Sequence, residues 1–102
     1  MSDQQKPRFS YQAEMGFTHY ELLKGLPSAV KPYEISQTTP LVYDMRLEGR
    51  VARMTISPET VRKIASMELP VTNMVIDFFD FDKNEYERFM GRFKRYLHRG
   101  GG

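Results

Sequence analysis

The segment from Asp82 to Arg99 has the strongest periodicity in this chain. Its apolar residues recur with the spacing i, i+4, i+7 and i+11, which places them on one face of an α-helix. These residues are Tyr86, Met90, Phe93 and Leu97, and Phe89 and Tyr96 widen the face. Asp82 can cap such a helix, and Glu85 completes a capping-box variant. We therefore predict a helix over about 83–98, whose apolar face requires another layer to pack on.

An antiparallel hairpin over about 41–56 is predicted to belong to that second layer. In residues 41–47, apolar and polar side chains alternate, with Asp44 and Arg46 on the face opposite the apolar one. Gly49 lies in the turn that follows, and residues 51–56 resume the alternation. One long strand bent at Gly49 is the alternative.

The run from Val71 to Phe81 is almost continuously apolar. Its length and its aromatic content predict a central strand over about 71–81 that is buried on both faces. An uncovered edge of such a strand would pair with another chain, so self-association into a homo-oligomer is a further expectation.

Two shorter helices are predicted from their start signals. Thr18 and Glu21 match a capping box, which predicts a helix over about 19–25 that ends near Gly25 and Pro27. Ser57, Pro58 and Glu59 form a second start signal, and we predict a helix over about 58–67. Between the two helices, a short strand is predicted over about 33–37.

The fold class predicted from these elements is α+β, a small antiparallel sheet covered by the C-terminal helix. The length of 102 residues suits one domain, which we place at 9–99, between a disordered tail at 1–8 and a flexible glycine tail at 100–102. No run of about 18 apolar residues occurs, so no membrane span is expected. The lack of cysteine excludes a disulfide scaffold and thiolate chemistry, and it fits a cytoplasmic protein.

The distribution of charge is more informative than the net charge of +2. Residues 77–87 carry a net charge of −4, and residues 88–99 carry +5. The arginines of the second stretch share a helical stripe, and these are Arg88, Arg92, Arg95 and Arg99. They fit either of two roles: stabilising the negative end of the helix dipole, or pairing with phosphates or carboxylates. Arg46 and Arg50 of the hairpin would enlarge the stripe if they lay on the same surface.

No constellation in the chain points to catalysis. His19 and His98 have no companion at a ligand or triad spacing, and Ser57 is better explained as a helix cap. The segment that begins at Asp80 imitates a calcium loop, but Glu85 stands where that loop needs glycine, and its last position is Gly91. We therefore expect no catalytic residue, no metal, no cofactor and no enzyme activity.

Part of the chain resembles the second half of a PilZ domain. The resemblance rests on Leu47-Glu48-Gly49-Arg50-Val51-Ala52-Arg53, on Val75-Ile76-Asp77-Phe78-Phe79-Asp80-Phe81, and on the helix to Leu97. It implies a small bacterial β-barrel with a C-terminal helix, which binds cyclic di-GMP and regulates motility or polysaccharide systems. The ligand motifs of the family are not matched. Arg46 and Arg50 have the R-x-x-x-R spacing, but of the later motif only Ser57 is kept.

The function predicted is that of a small non-enzymatic binding or regulatory domain acting through an unidentified protein partner. A nucleic-acid-binding protein that uses the basic helix is the first alternative, and a degenerate PilZ-like regulator is the second. The candidate partner- or phosphate-binding residues are Arg46, Arg50, Arg88, Arg92, Arg95 and Arg99.

Overall fold

The computed structural model describes residues 6–97, which form six strands and two helices. In chain order these are β1 (Phe9–Met15), α1 (His19–Ala29), β2 (Glu34–Thr39), β3 (Val42–Leu47), β4 (Arg50–Ile56), β5 (Thr60–Ile64), β6 (Met67–Phe79) and α2 (Lys83–Leu97). The architecture is α+β, as predicted, with an antiparallel sheet and a C-terminal helix. Neither helix within the described range is long and apolar enough to cross a lipid bilayer.

The strands form an antiparallel sheet in the order β1-β6-β4-β3-β2, and β5 pairs with the first part of β6. The long strand β6 is therefore central, with β1 and β4 along its two edges. Alternate residues point to one side and build the core. We call this side the inner face, and it carries Met45, Met54, Ile76 and Phe78.

The predicted hairpin is confirmed, because β3 pairs with β4 and Met45 lies opposite Ala52. Glu48 and Gly49 both have positive φ, at 51° and 84°, as the two central residues of a tight hairpin turn require. Asp44 does lie on the outer face of the sheet. It is nevertheless fully buried, because the side chains of Arg53 and Arg46 bind its carboxylate.

The central strand differs from its prediction in three respects. It begins at Met67 rather than near Val71, it ends at Phe79 rather than near Phe81, and only one of its faces is buried. Phe78 is in the core, whereas Val75 and Asp77 lie on the outer face and remain partly exposed. Over residues 74–78 both edges of β6 are occupied, by β1 and β4, so this part of the strand offers no free edge for self-association.

The helix predicted over 58–67 is wrong, since these residues contain β5 and the turn into β6. Their β-branched side chains fit a strand as well as a helix, and pairing with β6 decides between the two. Ala65 makes the turn possible with a φ of 57°. Ser57 is not a helix cap either, because its hydroxyl accepts a hydrogen bond from the Asn73 amide at 3.0 Å.

Helix α1 starts as predicted but ends later. The Thr18 hydroxyl accepts from the Glu21 amide, and the Glu21 carboxylate accepts from the Thr18 amide. The helix then continues through Pro27 to Ala29, because Leu26 and Ala29 are buried and extend its apolar face.

Helix α2 matches its prediction over the residues that the structure describes. The Asp82 carboxylate accepts from the Glu85 amide at 2.8 Å, which caps the helix. The ring of Phe89 meets that of Phe78 on β6 at a centroid distance of 5.2 Å, and Phe93 meets Tyr11 on β1 at 6.4 Å. Apolar rings therefore connect α2 to the two strands at one side of the sheet.

Strand β1 has no counterpart among the predicted elements. Its signal is a period-2 alternation in which Phe9, Tyr11, Ala13 and Met15 pack against the core. Within the predicted N-terminal tail, the Arg8 amide donates to the Phe78 carbonyl at 2.9 Å. Residues 1–5 of that tail, His98, Arg99 and the glycines at 100–102 lie outside the described residues.

Candidate basic pocket

Arg50 and three arginines of α2 line one pocket of about 480 Å³. The pocket lies where the end of α1, the segment before β2, the β3–β4 turn and α2 meet. We call it the basic pocket, and its cationic side chains are Lys31, Arg50, Arg88, Arg92 and Arg95. Glu48 and Glu85 are its acidic side chains, so the lining has an excess of three positive charges.

The local folding of the chain accounts for how these residues meet. The tight turn at Glu48 and Gly49 places Arg50 at the first position of β4. The helical spacing of α2 aligns Arg88 and Arg95 on the side that faces this turn. Residues 29–33, from the last residue of α1 to the residue before β2, provide a further wall.

Arg50 is the most constrained cation of the basic pocket, with only 18% of its side chain exposed. Its Nε donates to the Tyr33 hydroxyl at 3.1 Å, and its guanidinium lies 3.6 Å from the Glu85 carboxylate and 3.7 Å from that of Glu48. The hydrogen bond to Tyr33 and the two carboxylates raise the pKa of Arg50 above its ordinary value, although burial opposes this shift. The guanidinium is therefore always charged and is held in one place.

Arg92 has a structural role at the rim of the pocket. Its Nε donates to the Ser28 carbonyl in the last turn of α1 at 2.8 Å. Carbonyls at a helix end lack partners within their own helix, so this bond satisfies one of them. The guanidinium also lies 4.5 Å from the centre of the Tyr96 ring.

Among the arginines of the pocket, Arg88 and Arg95 are free to bind an incoming group. Arg88 is 78% exposed, and its one ion pair among residues 6–97 is with Glu85, at 3.9 Å, one helical turn away. Arg95 is exposed and makes no hydrogen bond or ion pair within residues 6–97. A surface pair as loose as that of Arg88 contributes little to stability, so this arginine can change partner at low cost.

Arg46 and Arg99 do not join this group. Arg46 lies on the outer face of the sheet, where it donates to the Asp44 carboxylate at 3.0 Å. Arg99 lies outside the described residues. Lys31 and Tyr33 are not among the predicted site residues, because only tertiary contacts bring them to the pocket.

The pocket offers hydrogen-bond donors in the planar arrangement that carboxylates and phosphates accept. His19 is not part of it, and its Nε2 lies 2.7 Å from the Ser57 carbonyl oxygen. No cluster of three or more His, Cys, Asp or Glu side chains suited to a metal occurs in the part of the chain that the structure describes. Comparison of the chain with protein-family models, with curated proteins and with solved structures finds no match.

Proposed function

We propose that this protein is a small non-enzymatic binding domain whose basic pocket receives an acidic segment of a protein partner. The observation that carries the proposal is the convergence of Arg50 with Arg88 and Arg95. These residues come from the hairpin and from α2, and they line one concave site with an excess of positive charge. Convergent charged groups in a pocket set the specificity and the rate of association with an oppositely charged partner.

The state of the arginines supports recognition of a few carboxylates. Arg50 is held in position by Tyr33, so it loses little side-chain freedom when it binds. Arg88 and Arg95 are exposed and supply further donors. We also take α2 to cover the inner face of the sheet, in agreement with the ring contacts that Phe89 and Phe93 make with β6 and β1.

The acidic flank of the pocket favours a peptide over a long polyanion. Glu48 and Glu85 lie within the lining, and Asp80 and Asp82 line the neighbouring depression beside Arg50. A nucleic acid has one charge in every nucleotide and would meet these carboxylates on leaving the pocket. A peptide with one short acidic stretch avoids them.

One observation favours the nucleic-acid alternative. Tyr96 is 48% exposed, and the Arg92 guanidinium lies over its ring. An exposed aromatic ring beside arginines can stack a base of a single strand. In that case the affinity would fall steeply with salt, because each neutralised phosphate releases counterions.

Fluorescence anisotropy with three labelled probes tests the proposal. The probes are hexaglutamate, a single-stranded RNA and a duplex DNA, each measured at low and at physiological salt. The protein is compared with the variant Arg88→Gln/Arg95→Gln. The control is Lys24→Gln/Lys63→Gln, which removes the same charge from exposed sites outside the pocket.

We expect hexaglutamate to bind, and we expect the pocket variant to bind it about tenfold more weakly than the control does. Equal weakening in both variants would show that only net charge matters, and it would overturn the proposal, as would a lack of binding. RNA or DNA binding that persists at physiological salt and is lost in the pocket variant would establish the nucleic-acid alternative instead.

The resemblance to PilZ domains stays a prediction with its own test. Arg46 does not line the basic pocket, and the depression that it shares with Arg50 also contains the carboxylates of Glu34 and Glu48. A ligand that binds the folded state raises the melting temperature. A melting temperature that is unchanged by cyclic di-GMP would remove this alternative.

A further inference from the structure

Strand β2 is an edge of the sheet that leads directly into the basic pocket. It is the last strand in the order and pairs with β3 alone among the described elements. The stretch Glu34–Gln37 has regular pairing and contains no Lys, Arg or Pro, whereas the irregularity in register lies beyond it, between Gln37 and Thr39. Lys, Pro and bulges are three of the means by which edge strands avoid another chain, and this stretch has none of the three. Its one charged residue is Glu34.

The start of β2 and the wall of the pocket are continuous. Pro32 and Tyr33, which immediately precede β2, line the basic pocket, and the Tyr33 hydroxyl holds Arg50. Strand β1, at the other edge of the sheet, contributes no residue to this pocket. The charge of the pocket therefore distinguishes the β2 edge from the β1 edge.

We infer that the acidic partner segment binds as an additional antiparallel strand on β2 and places its C-terminal end in the basic pocket. This inference rests on the proposed function and specifies how the segment is held. Main-chain hydrogen bonds to the edge provide affinity, and the pocket provides selectivity for acidic residues.

The direction follows from the geometry of the sheet. Every strand pair in the described residues is antiparallel. Because β2 begins at the pocket, a strand that runs antiparallel to it ends there. The pocket then receives the last side chains of the segment and, where the partner ends at that point, its terminal carboxylate.

The side-chain alternation of β2 fits this placement. Ile35 lies opposite Met45 on the inner face, so Tyr33 belongs to the same face, on the side of the pocket. Glu34 lies opposite Arg46 and points to the outer face. An acidic side chain on the inner face of the added strand therefore meets the arginines and is kept apart from Glu34.

A second copy of this chain fits the edge less well. Antiparallel pairing of β2 with another β2 would bring Thr38, Thr39 and Pro40 to the pocket, and none of these residues is charged. The excess positive charge of the pocket would stay uncompensated. An acidic segment can pair with the main chain of β2 and also compensate the positive charge of the pocket.

The test uses the full chain and a short synthetic peptide of alternating threonine and valine that ends in two glutamates with a free carboxylate. Two derivatives carry N-methyl groups, each on one of the two sets of alternating amides. In a strand added at an edge, only one of these two sets of amides faces β2. The derivative methylated on the set that faces away from β2 is therefore the matched control. A fourth peptide has the reversed sequence, with the glutamates at its N-terminus. Binding is followed by fluorescence anisotropy, and Arg88→Gln/Arg95→Gln is measured alongside.

We expect the parent peptide to bind and one N-methylated derivative to bind at least about tenfold more weakly, while the other is little changed. The reversed peptide should also bind about tenfold more weakly, and the pocket variant should weaken the parent peptide. Equal binding of the parent and both N-methylated peptides would overturn strand addition, and equal binding of the reversed peptide would overturn the direction.

The hexaglutamate measurement separates this inference from the proposed function. If hexaglutamate binds through the pocket while the strand peptide does not bind, only the present inference fails. If neither peptide binds, both fail.

Discussion

Asp44 on β3 lies directly opposite Arg53 on β4, and its two carboxylate oxygens accept hydrogen bonds from that guanidinium at 2.8 and 3.2 Å. The same row continues to β6, where Asp77 lies opposite Arg53 and accepts from the Ser10 hydroxyl of β1 at 2.8 Å. A polar row therefore crosses the outer face of the sheet from β3 to β1. Asp44 is its one fully buried member, with 0% of its surface exposed.

The variant Asp44→Asn should lower the free energy of unfolding by about 2 kcal/mol. It replaces charge-assisted hydrogen bonds to Arg53 and Arg46 with weaker ones at a site without access to water. Urea denaturation at neutral pH measures this loss. Glu34→Gln on β2 is the control, because Glu34 is exposed and its replacement should change stability by less than about 0.5 kcal/mol. Equal losses of unfolding free energy in the two variants would show that the contacts of Asp44 stabilise the fold no more than an exposed carboxylate does.

The contribution of Asp44 to the free energy of unfolding should disappear at acidic pH. The hydrogen bond from Arg53 lowers the pKa of Asp44 below its ordinary value of 3.8, and the charges of Arg53 and Arg46 act in the same direction, while burial opposes them. A carboxylate with a lower pKa in the folded state stabilises the fold above its unfolded pKa, and this stabilisation is lost as the pH falls through the folded value.

Urea denaturation of the protein and of Asp44→Asn across a pH series measures this dependence. The difference in stability between the two should be constant above about pH 5 and should shrink below about pH 4. A difference that persists at the lowest pH would mean that the charge of Asp44 is not what stabilises the fold.

Two helix glycines should respond differently to alanine. Gly91 in α2 has open space where a Cβ would lie, so Gly91→Ala should stabilise the protein by about 1 kcal/mol through helix propensity. In α1, a Cβ on Gly25 would lie 2.9 Å from Cδ2 of Leu97, a buried residue of α2. We expect Gly25→Ala to give no stabilisation, because the gain in propensity is offset by displacement of Leu97. Thermal denaturation compares the two variants, and equal gains would show that α1 and α2 do not approach this closely.

Replacement of Arg50 by lysine should reduce both stability and binding, although the positive charge remains. Lysine cannot reproduce the planar contact in which Arg50 bonds the Tyr33 hydroxyl and faces two carboxylates. The expected loss of unfolding free energy is about 1 kcal/mol, and hexaglutamate should bind several-fold more weakly. Arg95→Lys is the matched control for stability. Because Arg95 is exposed, its replacement by lysine should leave the free energy of unfolding unchanged. If Arg50→Lys behaved like this control, the fixed position of Arg50 would be unimportant.

The elements that could be predicted are those whose determinants are close together in sequence. Helix α2 follows from its apolar spacing and from Asp82, and the cap of α1 follows from Thr18 and Glu21. These three residues lie within one turn of the start of their helices. The β3–β4 hairpin follows from alternation on both sides of a turn that contains Gly49. In each case, the side chains that decide the local conformation are neighbours on the same element.

The elements that could not be predicted depend on partners far along the chain. Residues 60–64 have side chains compatible with a helix, and they become a strand because the first part of β6 lies beside them. Helix α1 passes Pro27 because Leu26 and Ala29 find a buried position against the rest of the core. Such contacts are formed only when the whole domain closes, and no local pattern contains them.

The candidate site divides in the same way. The arginine stripe of α2 was determined by the sequence alone, because the helical repeat places Arg88, Arg92 and Arg95 on one side. Which of these arginines is free, and whether Arg50 or Arg46 joins them, was decided by the tertiary structure. The β3–β4 turn brings Arg50 beside Glu85, whereas the pleat of β3 turns Arg46 towards Asp44. The physical reason is that the direction of a side chain on a strand follows from local alternation, whereas the neighbour it meets depends on how distant segments pack.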